Sequence, residues 1–149
     1  MRKVVIFMLL SLSCSSVPAN EVRRFSLQEL ADRSDLIAIG VGTGHQDRSG
    51  TSFINEVSSI DVNLMLKGAP ESSVRVITRG EFIELDVDCC DQGASYLIFV
   101  VRASSGMYVP TNGRYSVFKI SGDDVLNWSE GCPSKSLTTV LEDVREAAR

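Results

Sequence analysis

Apolar and polar residues alternate strictly along residues 60–67, with Ile60, Val62, Leu64 and Leu66 on one side and Asp61, Asn63, Met65 and Lys67 on the other. Side chains of a strand point to opposite faces in turn, so this pattern makes Phe53 to Lys67 a half-buried strand and not a helix. The same period returns in Leu36 to Gly42 and in Val74 to Arg79, the latter run ending at Gly80. Gly40 and Gly42 inside the first of these imply a bulge or the close approach of another backbone. Tyr96 to Arg102 is almost continuously apolar and reads as a strand buried on both faces. Gly68-Ala69-Pro70 and Ser104-Ser105-Gly106 supply turns, Asn112-Gly113 is a hairpin signal, and Arg114 to Ile120 follows as a strand. His45 to Gly50 reads as a polar loop, and Ile83 to Val87 as a further strand within an acidic stretch. About five to seven short, turn-linked antiparallel strands in so few residues imply a small closed or partly closed barrel. Closure removes exposed edges that invite aggregation.

Two helices flank the strands. Ser26 and Glu29 form a capping box, with Phe25 and Leu30 placed for a hydrophobic staple, so a helix is expected over Leu27 to Arg33. In the tail, Leu137, Val140, Leu141, Val144 and Ala148 share one helical face, with Ser134 or Ser136 as N-cap. The fold expected is mostly β, about five to six strands with a short N-terminal and a C-terminal helix.

The beginning of the chain reads differently. Arg2 and Lys3 precede an apolar run from Val4 to Leu12, and Val17-Pro18-Ala19 offers small residues for a signal peptidase. We expect residues 1–19 to be an export signal cleaved before Asn20, leaving residues 20–149 as one domain in the periplasm or medium. Cys14 ends the apolar run where a lipoprotein cysteine would stand, but Ser11-Leu12-Ser13 is a poor lipobox; a lipid anchor at Cys14 is the alternative. Apart from that anchor no membrane attachment is expected, since no stretch reaches the roughly 18–20 apolar residues of a spanning helix. Removal of the signal leaves 13 Lys plus Arg against 19 Asp plus Glu, a net charge of −6. Such a balance opposes phosphate-backbone binding, and no nucleic-acid partner is expected. A hydrophobic fraction of 44% suffices for a core.

Three stretches in order carry a family resemblance: Ser34-Asp35-Leu36-Ile37-Ala38-Ile39-Gly40, Val62-Asn63-Leu64-Met65-Leu66-Lys67-Gly68, and Cys90-Asp91-Gln92-Gly93-Ala94-Ser95-Tyr96-Leu97-Ile98-Phe99. They resemble the first, second and fourth strands of exported bacterial domains similar to the netrin-like modules of tissue inhibitors of metalloproteinases. The resemblance spans roughly residues 34–145 and implies an OB-like, five-stranded barrel with a C-terminal helix. In the animal inhibitors a cysteine at the mature N-terminus approaches the protease zinc. Here Asn20 takes that place, and a lipidated Cys14 has an acylated amine, so inhibition by that route is not expected.

Cysteines in an exported chain point to disulfides. Cys90 occupies the position that the resemblance matches, and a Cys90–Cys132 bridge would pin the terminal helix to the barrel. Closing such a loop is worth about 4 kcal/mol in the chain-entropy account. Alternation sends Cys89 and Cys90 to opposite faces, so one of them pairs; Cys89 is the alternative partner, or else a buried thiol or an intermolecular partner. A vicinal Cys89–Cys90 bond, being strained, ranks below these. Glu84, Asp86 and Asp88 alternate and as a strand would present three carboxylates, a candidate site for a hard cation or for acid–base chemistry. A solvated strand face is the plainer reading. His45 is the only histidine, no CxxC spacing occurs, and no zinc site or other cofactor is expected. Trp128 is expected to pack the terminal helix on the barrel, with an interface anchor as the alternative. The functional expectation is a non-catalytic module that binds a protein or envelope component. The alternatives are an inhibitor of an exported hydrolase and, last, an enzyme using the acidic strand.

Overall fold

The computed structural model describes residues 22–47, 54–83, 86–129 and 131–149. In chain order they form α1 (Leu27–Arg33), β1 (Leu36–Asp47), β2 (Ile54–Lys67), β3 (Ser73–Gly80), β4 (Ser95–Arg102), β5 (Tyr108–Arg114), β6 (Val117–Ser121), β7 (Asp124–Ser129), β8 (Cys132–Ser136) and α2 (Leu137–Ala147). Both helices stand where the sequence placed them, and Ser26 forms the expected capping box with Glu29. β7 and β8 are additions: β8 is too polar for alternation to reveal it, and in β7 the apolar Val125, Leu126 and Trp128 do not alternate. His45, expected in a loop, lies instead near the end of the longer β1. The signal segment, Cys14 and Glu84 fall outside the described residues.

Strands β1, β2, β3, β5 and β4 run in that order around a ring, which β1 closes by pairing with β4. β3 and β5 are parallel, through Val76 and Tyr108. β1–β2, β2–β3, β4–β5 and β1–β4 are antiparallel. This is the small OB-like barrel the sequence implied, with a helix toward each end of the chain. Beyond it, β6, β7 and β8 continue the sheet from β4.

Two apolar layers share the strands. Leu36, Ile60, Val76, Ile98 and Val100 fill the barrel interior. Ile37, Leu97 and Phe99 point outward, onto Leu30 of α1 and Val140 and Val144 of α2. β4 is thus buried on both faces, as its continuous apolar run predicted. Strict alternation fails in β2, however. Pairings of Ile37 with Lys67, Ala38 with Met65, Ile39 with Leu64 and Gly40 with Val62 leave Leu66 and Asn63 as extra residues. Each such bulge turns the neighbouring side chains to new directions. Val62 and Met65 therefore pack on the interior layer while Leu66 joins the outer one. The glycine expectation holds: a Cβ at Gly40 would meet the Asp61 carbonyl oxygen, and one at Gly42 those of Cys90 and Asp91.

Asn112-Gly113 does not join a hairpin. β5 and β6 both run antiparallel to β4 along the same side, Val109 opposite Val101 and Phe118 opposite Leu97. The turn, with Gly113 at φ +53° and the Tyr115 amide donating to Asn112 O at 3.1 Å, sets a tight loop into what is otherwise one long strand. Asn112 is buried there, and its side chain accepts from the Phe25 amide (2.9 Å) and donates to Arg23 O (3.1 Å), which ties the segment before α1 to the sheet. At the parallel seam, Glu71, just before β3, accepts from the Tyr108 hydroxyl at 2.6 Å and pairs with Arg102 at the end of β4. Among the described residues no helix is long and apolar enough to cross a membrane.

Candidate binding cleft

The connection from β3 to β4 stoppers one end of the barrel. Asp86 accepts from the Gly80 amide at 3.0 Å, and the Val87 amide donates to Thr78 O at 2.9 Å, which lays the segment along β3. Val87, Cys89 and Cys90 then turn inward and are buried in the interior layer. The chain leaves past Gly42, whose amide donates to Ala94 O (2.9 Å) and whose carbonyl accepts from the Gly93 amide (2.8 Å).

This arrangement corrects two expectations. Cys89 is bonded to Cys90, and Cys132 is free. The premise that the neighbours face opposite ways fails because the segment is not a strand: Cys90 adopts φ +75°, which brings both side chains inward. Cys132 lies in β8, half-buried, with its thiol against Ser134 O at 3.1 Å. The acidic row is likewise not formed, since no strand includes Asp86 or Asp88. Asp86 is held by the Gly80 amide and lines an apolar hollow with Ile77 and Val109, whereas Asp88 lines a different cleft. Among the described residues no group of three or more His, Cys, Asp or Glu could hold a metal ion.

The larger cleft, of about 600 Å³, runs between the stopper and the β6–β7 ribbon. Val87, Asp88, Cys89 and Asp91 line one side, with Val117, Phe118 and Lys119 of β6 and Leu126 and Asn127 of β7 across from them. Arg24, Tyr96, Arg114 and Tyr115 complete the lining. The gap exists because β6 and β7 pair only through Ile120–Val125 and Ser121–Asp124. β7 then bulges between Leu126 and Ser129, where Asn127 takes φ +53°. Cys90 and Asn127 are the two non-glycine residues with positive φ among those described. One sits beside a lining residue and the other is one. Backbone strain of this kind concentrates at functional sites.

Charges in the cleft are organised in pairs. Asp91 accepts from Lys119 Nζ and from the Tyr96 hydroxyl, each at 3.2 Å. These bonds, Lys119 first, hold its carboxyl below the usual range, and the same pair raises the Lys119 ammonium. Burial pushes the Tyr96 phenol up. Arg24 donates through Nη2 to Asn127 O (2.9 Å) and Trp128 O (2.6 Å), and its guanidinium lies 5.3 Å from the centre of the Tyr115 ring. Arg114, exposed, has no hydrogen-bond or ion-pair partner among the described residues. Trp128 itself is half-buried, its ring 5.0 Å from that of Phe118 within the outer apolar layer.

His45 belongs to a separate cluster. Its Nδ1 is 2.7 Å from Ser58 Oγ and 3.3 Å from Glu56 Oε1, and Thr78 donates to Glu56 at 2.8 Å. Serine and carboxylate meet the same ring nitrogen, and Ser58 is fully buried, so the cluster does not relay a proton from a nucleophile.

Arg24, Arg114, Tyr115, Lys119 and Asn127 were not singled out from the sequence. They stand on four separate stretches of chain, and only the β7 bulge and the loop between β5 and β6 gather them. No protein-family model matches the chain, and comparison with curated proteins finds no match.

Proposed function

We propose that this chain is an exported, non-catalytic binding module that docks a protein or envelope component through the cleft between its barrel stopper and the β6–β7 ribbon. The observation that carries this reading is the cleft itself, with Asn127 held at positive φ in its lining and Cys90, also at positive φ, buried between the lining residues Cys89 and Asp91. Holding a non-glycine residue at positive φ costs on the order of 1–3 kcal/mol. The acidic residues support the non-catalytic part: Asp86 is committed to a backbone amide and does not share a site with Asp88. Export rests on the Arg2-Lys3 and Val4–Leu12 pattern together with the bonded cysteines, which suit an oxidising compartment.

A kinship with the netrin-like domains is part of the proposal, supported by the closed five-strand barrel and its following helix. It keeps inhibition of an exported hydrolase as the second reading. The test is capture from a cell-envelope extract by the full chain and by Tyr115→Ala. A partner recovered in stoichiometric amount and lost with Tyr115→Ala supports the cleft. A partner kept by that variant and lost with Phe82→Ala moves the site to the hollow that Phe82 lines with Ile77 and Val109, beside which Phe82 and Ile83 are 63% and 77% exposed. Abolition of a hydrolase's activity by the intact chain selects the second reading.

A further inference from the structure

The geometry points to a carboxylate carried on an apolar body as the ligand of this cleft, its charged end taken by Arg24 and Arg114. This rests on the binding-module reading and adds the chemistry of what is bound. The chain as a whole is acidic, with a formal net charge of −4, yet Arg24, Arg114 and Lys119 converge on one cleft with Asp88 and Asp91. Asp91 and Lys119 neutralise each other. Two guanidiniums and the exposed Asp88 remain. Arg24 is already ordered, by two backbone carbonyls and the Tyr115 ring, so little freedom is left for it to lose on binding. Arg114 is exposed and without a partner among the described residues, free to turn to a ligand. A planar guanidinium fork matches a carboxylate in two parallel hydrogen bonds. Val87, Val117, Phe118 and Leu126 line the same space and suit an apolar body. With Asp88 counted, the cleft keeps one positive charge, which a singly charged carboxylate neutralises and a dianion exceeds.

The experiment is an NMR titration of the isotopically labelled full chain with three probes: 4-phenylbutyrate, its neutral amide, and phenyl phosphate. Saturable shifts of the Tyr115, Lys119 and Asn127 amides are expected with the carboxylate. The amide is expected to bind about tenfold more weakly, as the loss of one charge-assisted contact implies, and the phosphate more weakly than the carboxylate. Arg114→Gln, a change at an exposed side chain, should weaken the carboxylate by a similar factor and leave resonances outside the cleft in place. Equal binding of carboxylate and amide, or tighter binding of the phosphate, would overturn the proposal while the cleft stands as a binding site. Absence of cleft shifts, with a captured partner still lost in Tyr115→Ala, overturns the ligand chemistry alone. Absence of both overturns the binding-module reading with it.

Discussion

At Gly42 an added methyl group would enter space held by the carbonyl oxygens of Cys90 and Asp91, two backbone atoms with no freedom to retreat. Gly42→Ala is expected to lower stability by about 1–3 kcal/mol, the usual cost of overpacking, read as a fall in denaturant midpoint. Glu29 gives a pH prediction. Hydrogen bonds from Arg23, and behind them the Ser26 amide, bring its carboxyl down from 4.5 to about 2. A carboxylate whose folded pKa is depressed adds stability above its unfolded pKa and loses it as pH falls through the folded one. Amide protection in α1 should therefore decline between about pH 4.5 and 2, and Glu29→Gln should remove that decline. The Ser26–Glu29 box was legible in the sequence because both partners lie within one turn. Asn112 was legible only as a turn signal: its bonding partners, Arg23 and Phe25, lie almost ninety residues away.

The elements with a single dominant period were readable, and the exceptions have identifiable causes. β4 and α2 needed only continuous or helical spacing of apolar residues. In β2 the bulges shift Leu66 to the outer layer, and nothing in its alternation marks where an extra residue enters. The segment before β4 misled for a related reason. Its alternating Glu84, Asp86 and Asp88 look like one face of a strand, but the segment touches β3 through the Val87 amide and the Asp86 side chain in place of a ladder, and Cys90 at φ +75° ends any extended run. The cysteines follow from this. Alkylation of the unfolded, unreduced chain should label Cys132 and leave Cys89 and Cys90 unlabelled, with the peptide that contains both two hydrogens lighter than its reduced form. Label divided between Cys132 and either neighbour would contradict the observed pairing. The cleft was not legible at this scale, since it arises between elements, from a bulge in β7 and a loop inside a divided strand.

For the whole molecule, a closed or partly closed barrel could be read from the number of short strands, but the order of strands around it could not, because strand neighbours depend on partners far apart in sequence. The ring needs two pairings between strands not consecutive in the chain, β1 with β4 and the parallel seam of Val76 with Tyr108, beside which Glu71, Arg102 and Tyr108 are joined. Antiparallel neighbours in consecutive order can zip from their turns, whereas these two must wait until β4 has been placed. We expect these two pairings to be late events of refolding, with Val76 among the later amides to gain protection in pulsed hydrogen exchange. Until then β3 and β5 are bare edges, and an edge accepts a strand from any chain that offers one. Loss of the Glu71 clamp should therefore matter most when molecules are crowded. Glu71→Gln is expected to refold normally when dilute and to give strand-exchanged dimers as concentration rises, resolved by size-exclusion chromatography. Wherever many copies fold side by side, the seam therefore sets an upper limit on how densely they can do so.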